Sequence, residues 1–211
     1  MKTIYNRKQA SEFLGINKND VLNFLKIDNE NWRYEDTKGY YHLFQKTGDT
    51  YVELTKGIKA TFVVSFPDND WYYKDEEGFE HLFKKINSKW VELTKDIKTK
   101  CTWSFSDTWG YTDINNYDHL FRFENNQWIE LTEGIKTTIA ESFRNNDWAY
   151  ADSKGYFHLF RKVDGKDVEL TKGIETKEVN SFDNGDWEYL GLDRYWYLLD
   201  KNNELIKKYE Q

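Results

Sequence analysis

The sequence predicts an all-β protein built from five copies of one unit of about 39 residues. Five lead tryptophans follow one another at intervals of 39, 38, 39 and 39 residues: Trp32, Trp71, Trp109, Trp148 and Trp187. A tyrosine stands two residues after each of them, and apolar and polar residues alternate through the stretch, which is typical of a half-buried strand. Turns rich in Asn, Asp and Gly separate these stretches. Regular spacing, alternation and turn chemistry thus favour β-structure throughout.

The unit at 144–182 illustrates the predicted strands. Trp148, Tyr150 and Asp152 share one face of the first strand, because side chains alternate along an extended chain. The pattern then predicts a second strand at 156–161, a third at 167–171 and a fourth at 174–182.

Four short strands per unit favour the blade of a β-propeller, and five units favour a five-bladed ring. An open solenoid of stacked hairpins is the alternative. The predicted repeat domain covers 28–211, with units near 28–66, 67–105, 106–143, 144–182 and 183–211. The last unit ends after its third strand, so we expect Met1–Tyr5 to supply the missing strand. Such closure would remove the exposed sheet edges.

Residues 1–27 do not follow the repeat and carry a net charge of +3, against −10 for the rest of the chain. The pattern predicts a helix from Arg7 to Leu14 that stops at Gly15, then a second helix capped by Asn17. Val21, Leu22, Phe24 and Leu25 follow at helical spacing. This outline resembles a helix-turn-helix. A helical cap on the repeat array is favoured over DNA binding, because so short a segment rarely folds as a separate domain.

Composition narrows the function classes. A net charge of −7 argues against a nucleic-acid surface outside residues 1–27. Cys101 is the only cysteine, so no intramolecular disulfide forms. Neither a membrane-spanning run nor a secretory signal is apparent, so we expect a cytoplasmic monomer without membrane contact or cofactor. The abundance of Asn, Lys and Ile is typical of an AT-rich bacterial or phage genome.

The motif Trp-x-Tyr-x-Asp-x-x-Gly at 148–155 resembles the bacterial tryptophan–glycine (WG, or KWG) repeat family. Trp109, Gly110, Tyr111 and Asp113 carry the nearest copy. The resemblance covers about a third of each unit. It implies a β-rich repeat module that binds a partner, without implying a defined activity.

All four histidines occupy one repeat position, ten residues after the lead tryptophan, and Tyr197 takes that place in the fifth unit. They are His42, His81, His119 and His158, and each is expected to face the aspartate of its own hairpin: Asp36, Asp75, Asp113 and Asp152. A ring of metal ligands is the alternative. Zinc needs three or four ligands that converge on one point. A hydrogen bond that fixes each hairpin is therefore favoured, and no metal site is predicted.

Other polar residues also recur. The third strands of the first four units carry a glutamate at the same place (Glu53, Glu92, Glu130 and Glu169), so no catalytic pair stands apart. The acidic turns at 68–70, 145–147 and 183–186 lack the ligand spacing of a calcium loop and are interpreted as ordinary turns. Cys101, in a strand with Trp103, is expected to belong to the core.

Four aromatic residues are the predicted binding residues: Trp90, Trp128, Tyr51 and Trp103. Trp90 and Trp128 are expected to be the most exposed, with Tyr51 and Val168 at their place in other units. We expect a non-enzymatic module that binds protein through a repeat-built rim. The alternatives are a multivalent lectin, because exposed rings stack on sugars, and a DNA-binding regulator that uses residues 7–27.

Overall fold

The computed structural model describes residues 7–26, 30–66, 70–105 and 107–210. It is 55% strand and 4% helix, which confirms the all-β class. One α-helix, α1, covers Arg7–Leu14, and a short 3-10 helix covers Lys18–Asp20. Within the described part of the chain, no helix has the length and apolar character required to cross a membrane.

The described strands form five antiparallel sheets of four strands each, paired in chain order. Sheet 1 contains β1 (Val21–Lys26), β2 (Asn31–Asp36), β3 (Tyr41–Thr47) and β4 (Thr50–Glu53). Sheet 2 contains β5 (Phe62–Ser65), β6 (Trp71–Lys74), β7 (Glu80–Ile86) and β8 (Lys89–Glu92). Sheet 3 contains β9 (Thr99–Phe105), β10 (Thr108–Asp113), β11 (Asp118–Glu124) and β12 (Gln127–Glu130). Sheet 4 contains β13 (Ala140–Ser142), β14 (Trp148–Ala151), β15 (Phe157–Val163) and β16 (Lys166–Glu169). Sheet 5 contains β17 (Thr176–Ser181), β18 (Trp187–Gly191), β19 (Tyr195–Leu199) and β20 (Leu205–Glu210).

This up-and-down order is that of a propeller blade, but each sheet begins one strand earlier than the predicted unit. The strand predicted to end the fourth unit is β17, and it pairs with β18 of the next unit, Val179 opposite Tyr189. A tight turn enforces this pairing, since the Phe182 amide donates to the Asp186 carbonyl at 3.0 Å.

The shifted boundary completes the last sheet. Sheet 5 takes all four of its strands from 176–210, so it lacks no strand that the start of the chain would have to supply. Met1–Tyr5 lie outside the described residues, and the closed ring stays a prediction.

The N-terminal segment follows the sequence only in part. Gly15 ends α1 with φ +71°, and the Asn17 side chain accepts from the Asn19 amide at 3.0 Å, as expected of an N-cap. The second predicted helix is wrong, because Val21–Lys26 form strand β1 and pair with β2. Strand pairing satisfies the backbone there, and Val21 becomes fully buried against Trp32 and Tyr34. Tertiary context thus outweighs helical spacing.

The chain divides into two compact units, residues 1–102 and 103–211. In the first, Leu43 of sheet 1 packs with Val63 and Trp71 of sheet 2. In the second, Leu159 of sheet 4 packs with Trp187 of sheet 5. Within each unit, the leucine-bearing face of one sheet therefore meets the tryptophan-bearing face of the next. All five lead tryptophans are buried, between 1% and 5% exposed.

Buried threonines pin the strands together. Leu82 donates its backbone N–H to Thr94 Oγ1 at 2.9 Å, and both residues are fully buried. The same contact recurs at 3.0 Å in three other sheets, from Leu43 to Thr55, from Leu120 to Thr132 and from Leu159 to Thr171. The recurring Glu-Leu-Thr motif therefore has a structural role, because the hydroxyl satisfies an amide that water cannot reach.

Candidate functional site

The histidine positions form one recurring cluster. In sheet 2, His81 Nδ1 lies 2.8 Å from Glu92 Oε1 and Nε2 lies 3.1 Å from Asp75 Oδ2. The imidazole stacks on Tyr73 with ring centroids 4.5 Å apart. In the equivalent clusters of sheets 1, 3 and 4, the shortest His–Glu distance is 2.7 Å, and the His–Asp distances are 3.4, 3.8 and 3.6 Å.

The predicted histidine–aspartate hydrogen bond is present in sheets 1 and 2, whereas the His–Asp distances in sheets 3 and 4 are too long for one. In all four sheets glutamate is the nearer partner. Sequence reasoning treated the glutamates separately and missed this pairing. The signal was the constant spacing of eleven residues between each His and its Glu, as between His42 and Glu53.

Charge stabilises these clusters. Burial acts to lower the pKa of His42 and His81, but their bonds to glutamate and aspartate outweigh it, so both pKa values are raised. For Asp36, burial opposes ionisation, while turn amides and His42 overcome that effect and lower its pKa. Burial and the neighbouring carboxylates raise the pKa of Tyr34 to about 12.

The fifth copy keeps the connection with different residues. The Tyr197 hydroxyl donates to Asp193 Oδ2 at 2.7 Å, and Lys208 Nζ lies 3.0 Å from the same oxygen. The Tyr197 and Lys208 contacts lower the pKa of Asp193 to about 2. In the part of the chain that the structure describes, no group of three His, Cys, Asp or Glu side chains is placed to hold a metal ion. The cluster fastens a hairpin in every sheet.

The acidic turns are held by their own asparagines. Asn145 Oδ1 accepts from the Asp147 amide at 3.1 Å, and Asn184 Oδ1 accepts from the Asp186 amide at 3.0 Å. This is ordinary turn chemistry. Asp68 and Asn69 of the remaining turn lie outside the described residues.

Trp90 and Trp128 are half-buried, so they are more exposed than the lead tryptophans, which are buried. Trp90 is half-buried and meets the lead Trp71 edge to face, with centroids 6.2 Å apart and planes at 83°. Trp128 contacts Trp109 in the same way at 6.1 Å and 89°. Tyr51 contacts Trp32 at 6.5 Å and 78°. The third-strand ring therefore covers the lead tryptophan of its own sheet, and any role in binding stays a prediction.

In sheet 4 the position of the third-strand ring is occupied by Asp167 and not by Val168. Lys162 lies opposite Asp167, as Phe123 lies opposite Trp128 in sheet 3. The sequence alignment placed Val168 one residue out of register. Unlike the rings at the equivalent position, Asp167 is charged and bonds Arg122 and Trp148.

Cys101 is exposed, so its predicted place in the core is wrong. Trp103 is half-buried and lies against Gly110, where an added Cβ would come within 2.4 Å of the indole and 2.7 Å of the His119 carbonyl oxygen. Ala149 holds the equivalent position in sheet 4. Only glycine leaves room for this indole.

Phenylalanines at the ends of the first strands form a surface that the sequence analysis missed. Phe105 is the last residue of β9, and Phe143 and Phe182 directly follow β13 and β17. With Ser142, Ser181, Arg144 and Asp183, they line one cavity of about 420 Å³. We call these residues the Ser-Phe surface. Phe105 is 40% exposed and Phe182 is 39% exposed. The missed signal was the dipeptide Ser-Phe, which recurs at 65–66, 104–105, 142–143 and 181–182.

Hydrogen bonds between sheets fix the floor of this surface. Ser142 Oγ lies 2.7 Å from Thr108 Oγ1 of sheet 3. Ser181 Oγ donates to Asp147 Oδ2 of sheet 4 at 2.6 Å, and Arg161 donates to the same oxygen at 2.6 Å. These bonds satisfy the hydroxyls of Ser142 and Ser181, which line the same cavity as the phenylalanines, and they tie neighbouring sheets together.

No protein-family model matches the sequence, and no curated protein is similar to it. Similar solved structures include the WD40 β-propeller domain of Doa1, at 11% identity and a TM-score of 0.38, covering 92% of this chain and 69% of that one. YCF48, solved bound to D1 peptide, is 10% identical with a TM-score of 0.41, and the match covers 90% of this chain and 69% of that one. Prp20p from Saccharomyces cerevisiae is 8% identical with a TM-score of 0.43, and the match covers 85% of this chain and 57% of that one. The WG repeat type stays a prediction.

Proposed function

We propose that this protein is a non-enzymatic binding module that recognises a protein partner through the Ser-Phe surface. The observation that carries the proposal is the pair of exposed phenylalanines, Phe105 and Phe182, at one open cavity. Large apolar rings that remain accessible above a fixed polar floor are typical of protein interfaces.

The chemistry of the rim supports a protein partner. Arg144 and Asp183 stand beside the rings, so the surface combines apolar contact area with charges of both signs. Interfaces commonly place such charges around an aromatic centre, where they orient the partner. The strand ends are rigid supports, so little conformational entropy is lost when the partner binds.

The other two functions have less support. A lectin needs open stacking faces, whereas Trp90 and Trp128 are half-buried and packed edge to face on lead tryptophans. A helix-turn-helix needs a second helix, whereas Val21–Lys26 form a strand. The absence of enzymatic activity is also part of the proposal, because the four histidine clusters are equivalent and none stands apart as a reactive centre.

A pull-down from the native host tests the proposal. Phe182→Ser removes one exposed ring, and we expect it to abolish retention of the specific partner. Ile206→Ser is the matched control, because Ile206 is 54% exposed in the outer strand of the same sheet and does not line the cavity. Equal retention of the partner by wild type and both variants would refute the proposed surface.

A further inference from the structure

A second cavity lies beside the Ser-Phe surface and shares Phe105 and Ser142 with it. It has a volume of about 310 Å³, which is large enough for one side chain but small for a drug-sized ligand. Its lining also contains Trp103, Asp118, Ala140 and Glu141. Two aromatic rings and two carboxylates therefore surround a space that opens next to the proposed interface.

The charges in this cavity are unbalanced. Both carboxylates are half-buried, and no lysine or arginine lines the cavity. Asp118 accepts from Thr112 Oγ1 at 2.8 Å and from the Ala140 amide at 3.2 Å, both neutral donors. The Glu141 carboxylate has no hydrogen bond or ion pair with any described side chain, and its electrostatic neighbour is another acid, Glu178. The cavity is complementary to a positive charge.

Burial raises the pKa of Glu141, and Glu178 adds to the rise. Burial also raises the pKa of Asp118, although its two hydrogen bonds and His119 act in the opposite direction. A carboxylate in this situation gains when a cation arrives, because the cation offsets the cost of burying the charge.

The aromatic walls favour the same ligand. Trp103 lies against the Gly110 backbone, which fixes the position of the indole beside the cavity. Trp is the strongest aromatic partner for a cation, and apolar ring faces also accept the methylene stem of a long basic side chain. An uncharged apolar group would leave Glu141 buried without a partner.

We propose that this cavity receives a lysine or arginine side chain of the protein partner, with Trp103 and Phe105 along its stem and Glu141 near its charge. The proposal rests on the proposed function and adds to it the chemistry of the partner. The partner segment then carries a basic residue next to apolar residues, which lie on Phe143 and Phe182 of the adjoining cavity.

Arrays of short peptides test this inference on the full-length protein. Each peptide has lysine, arginine, norleucine or glutamine at its centre, flanked by apolar residues. We expect lysine and arginine peptides to bind about tenfold or more tightly than norleucine peptides of the same sequence. Glu141→Gln should reduce the affinity for lysine and arginine peptides to that for norleucine peptides. The control Glu178→Gln, which removes an exposed charge outside the cavity lining, should keep the preference.

The outcomes separate this inference from the proposed function. Because the Glu141 carboxylate has no partner among the described side chains, Glu141→Gln should fold normally, which thermal unfolding checks. Unchanged binding by that variant, or equal binding of lysine and norleucine peptides, would overturn the cationic pocket. If the lysine and norleucine peptides bound wild type equally well but did not bind the Phe182→Ser variant, the Ser-Phe surface would still be supported as the protein-binding site. Failure of every peptide to bind at about 1 mM would also overturn the pocket, and the partner pull-down would then decide the proposed function alone.

Discussion

Asp167 accepts a hydrogen bond from the indole Nε1 of Trp148 at 3.1 Å. The carboxylate also receives two bonds from Arg122 Nη2, at 3.0 and 2.9 Å. The corresponding residue in sheets 1, 2 and 3 is an aromatic ring that covers the lead tryptophan. Lead tryptophans of those sheets bury an indole nitrogen that has no hydrogen-bond partner among the described residues. Sheet 4 therefore exchanges ring packing for a charged network between sheets.

Asp167→Ala is expected to lower the free energy of unfolding by about 2 kcal/mol, because it leaves Arg122 without its main carboxylate partner and Trp148 without an acceptor. Arg122 is 4% exposed and keeps its contact with Glu124, which limits the loss. Asp167→Asn, which retains an acceptor for Trp148, should lose less. Urea unfolding measures both, and equal stability of wild type and the alanine variant would contradict the network.

The histidine clusters predict a pH dependence of stability. The raised pKa values of His42 and His81 mean that protonation favours the folded state. Their contribution is complete below the unfolded pKa of about 6.5 and is lost as pH rises through the folded values. The lowered pKa of Asp36 acts in the opposite sense, since its contribution is complete above about pH 3.9 and is lost at lower pH.

Both contributions are therefore complete between about pH 4 and 6.5. Tyrosine is the residue at this position in sheet 5. Replacing His42 and His81 by tyrosine should therefore remove part of the loss of stability that occurs above about pH 6.5. Thermal unfolding across pH, compared between the variant and wild type, isolates the effect. Parallel curves for the two proteins would show that these histidines do not couple to stability.

Gly110→Ala should destabilise the protein by about 1–3 kcal/mol, because the new Cβ would overlap the Trp103 indole and the His119 carbonyl oxygen. Adding Trp103→Val, the residue at the equivalent place in sheet 2, should recover part of the loss. A double-mutant cycle measured by chemical denaturation gives the coupling. Simple additivity of the two substitutions would contradict the contact.

Thr94→Val keeps the shape of the side chain but leaves the Leu82 amide buried without an acceptor, and we expect a loss of about 1–3 kcal/mol. Thr50→Val is the control, because its hydroxyl bonds the Thr47 carbonyl at an exposed site. The Thr94→Val variant should unfold at a clearly lower denaturant concentration than the Thr50→Val variant. Similar midpoints would argue that the buried hydroxyl adds nothing.

The repeat made most of the fold predictable. Trp148 and Tyr150 share the periodicity of a strand, and Asn and Gly mark the turns, so the four strands per unit could be located from the sequence. The pairing of those strands was harder to predict from the sequence. The sequence predicted a strand at 174–182, which the structure places at Thr176–Ser181. It did not show that this strand joins the following hairpin, because pairing partners depend on turn geometry and burial.

The candidate site was harder to predict. Exposure of a tryptophan depends on its neighbours, and Trp90 is half-buried because its ring packs edge to face on the lead Trp71. The segment from Val21 to Lys26 has helical spacing yet forms a strand, since β2 supplies the partner that no local pattern encodes. Phe105 and Phe182 were overlooked because their dipeptide is short and their exposure follows from the shifted sheet boundary.

Site-specific photocrosslinking at Phe182 tests the central claim most directly. A benzoylphenylalanine replaces Phe182 in one variant and Ile206, an exposed residue in the outer strand of the same sheet, in the other. We predict that the position-182 probe forms a covalent adduct with a discrete partner protein in the native host, and that the position-206 probe does not. Adducts of equal yield at both positions, or an adduct at position 206 alone, would contradict the Ser-Phe surface as the binding site.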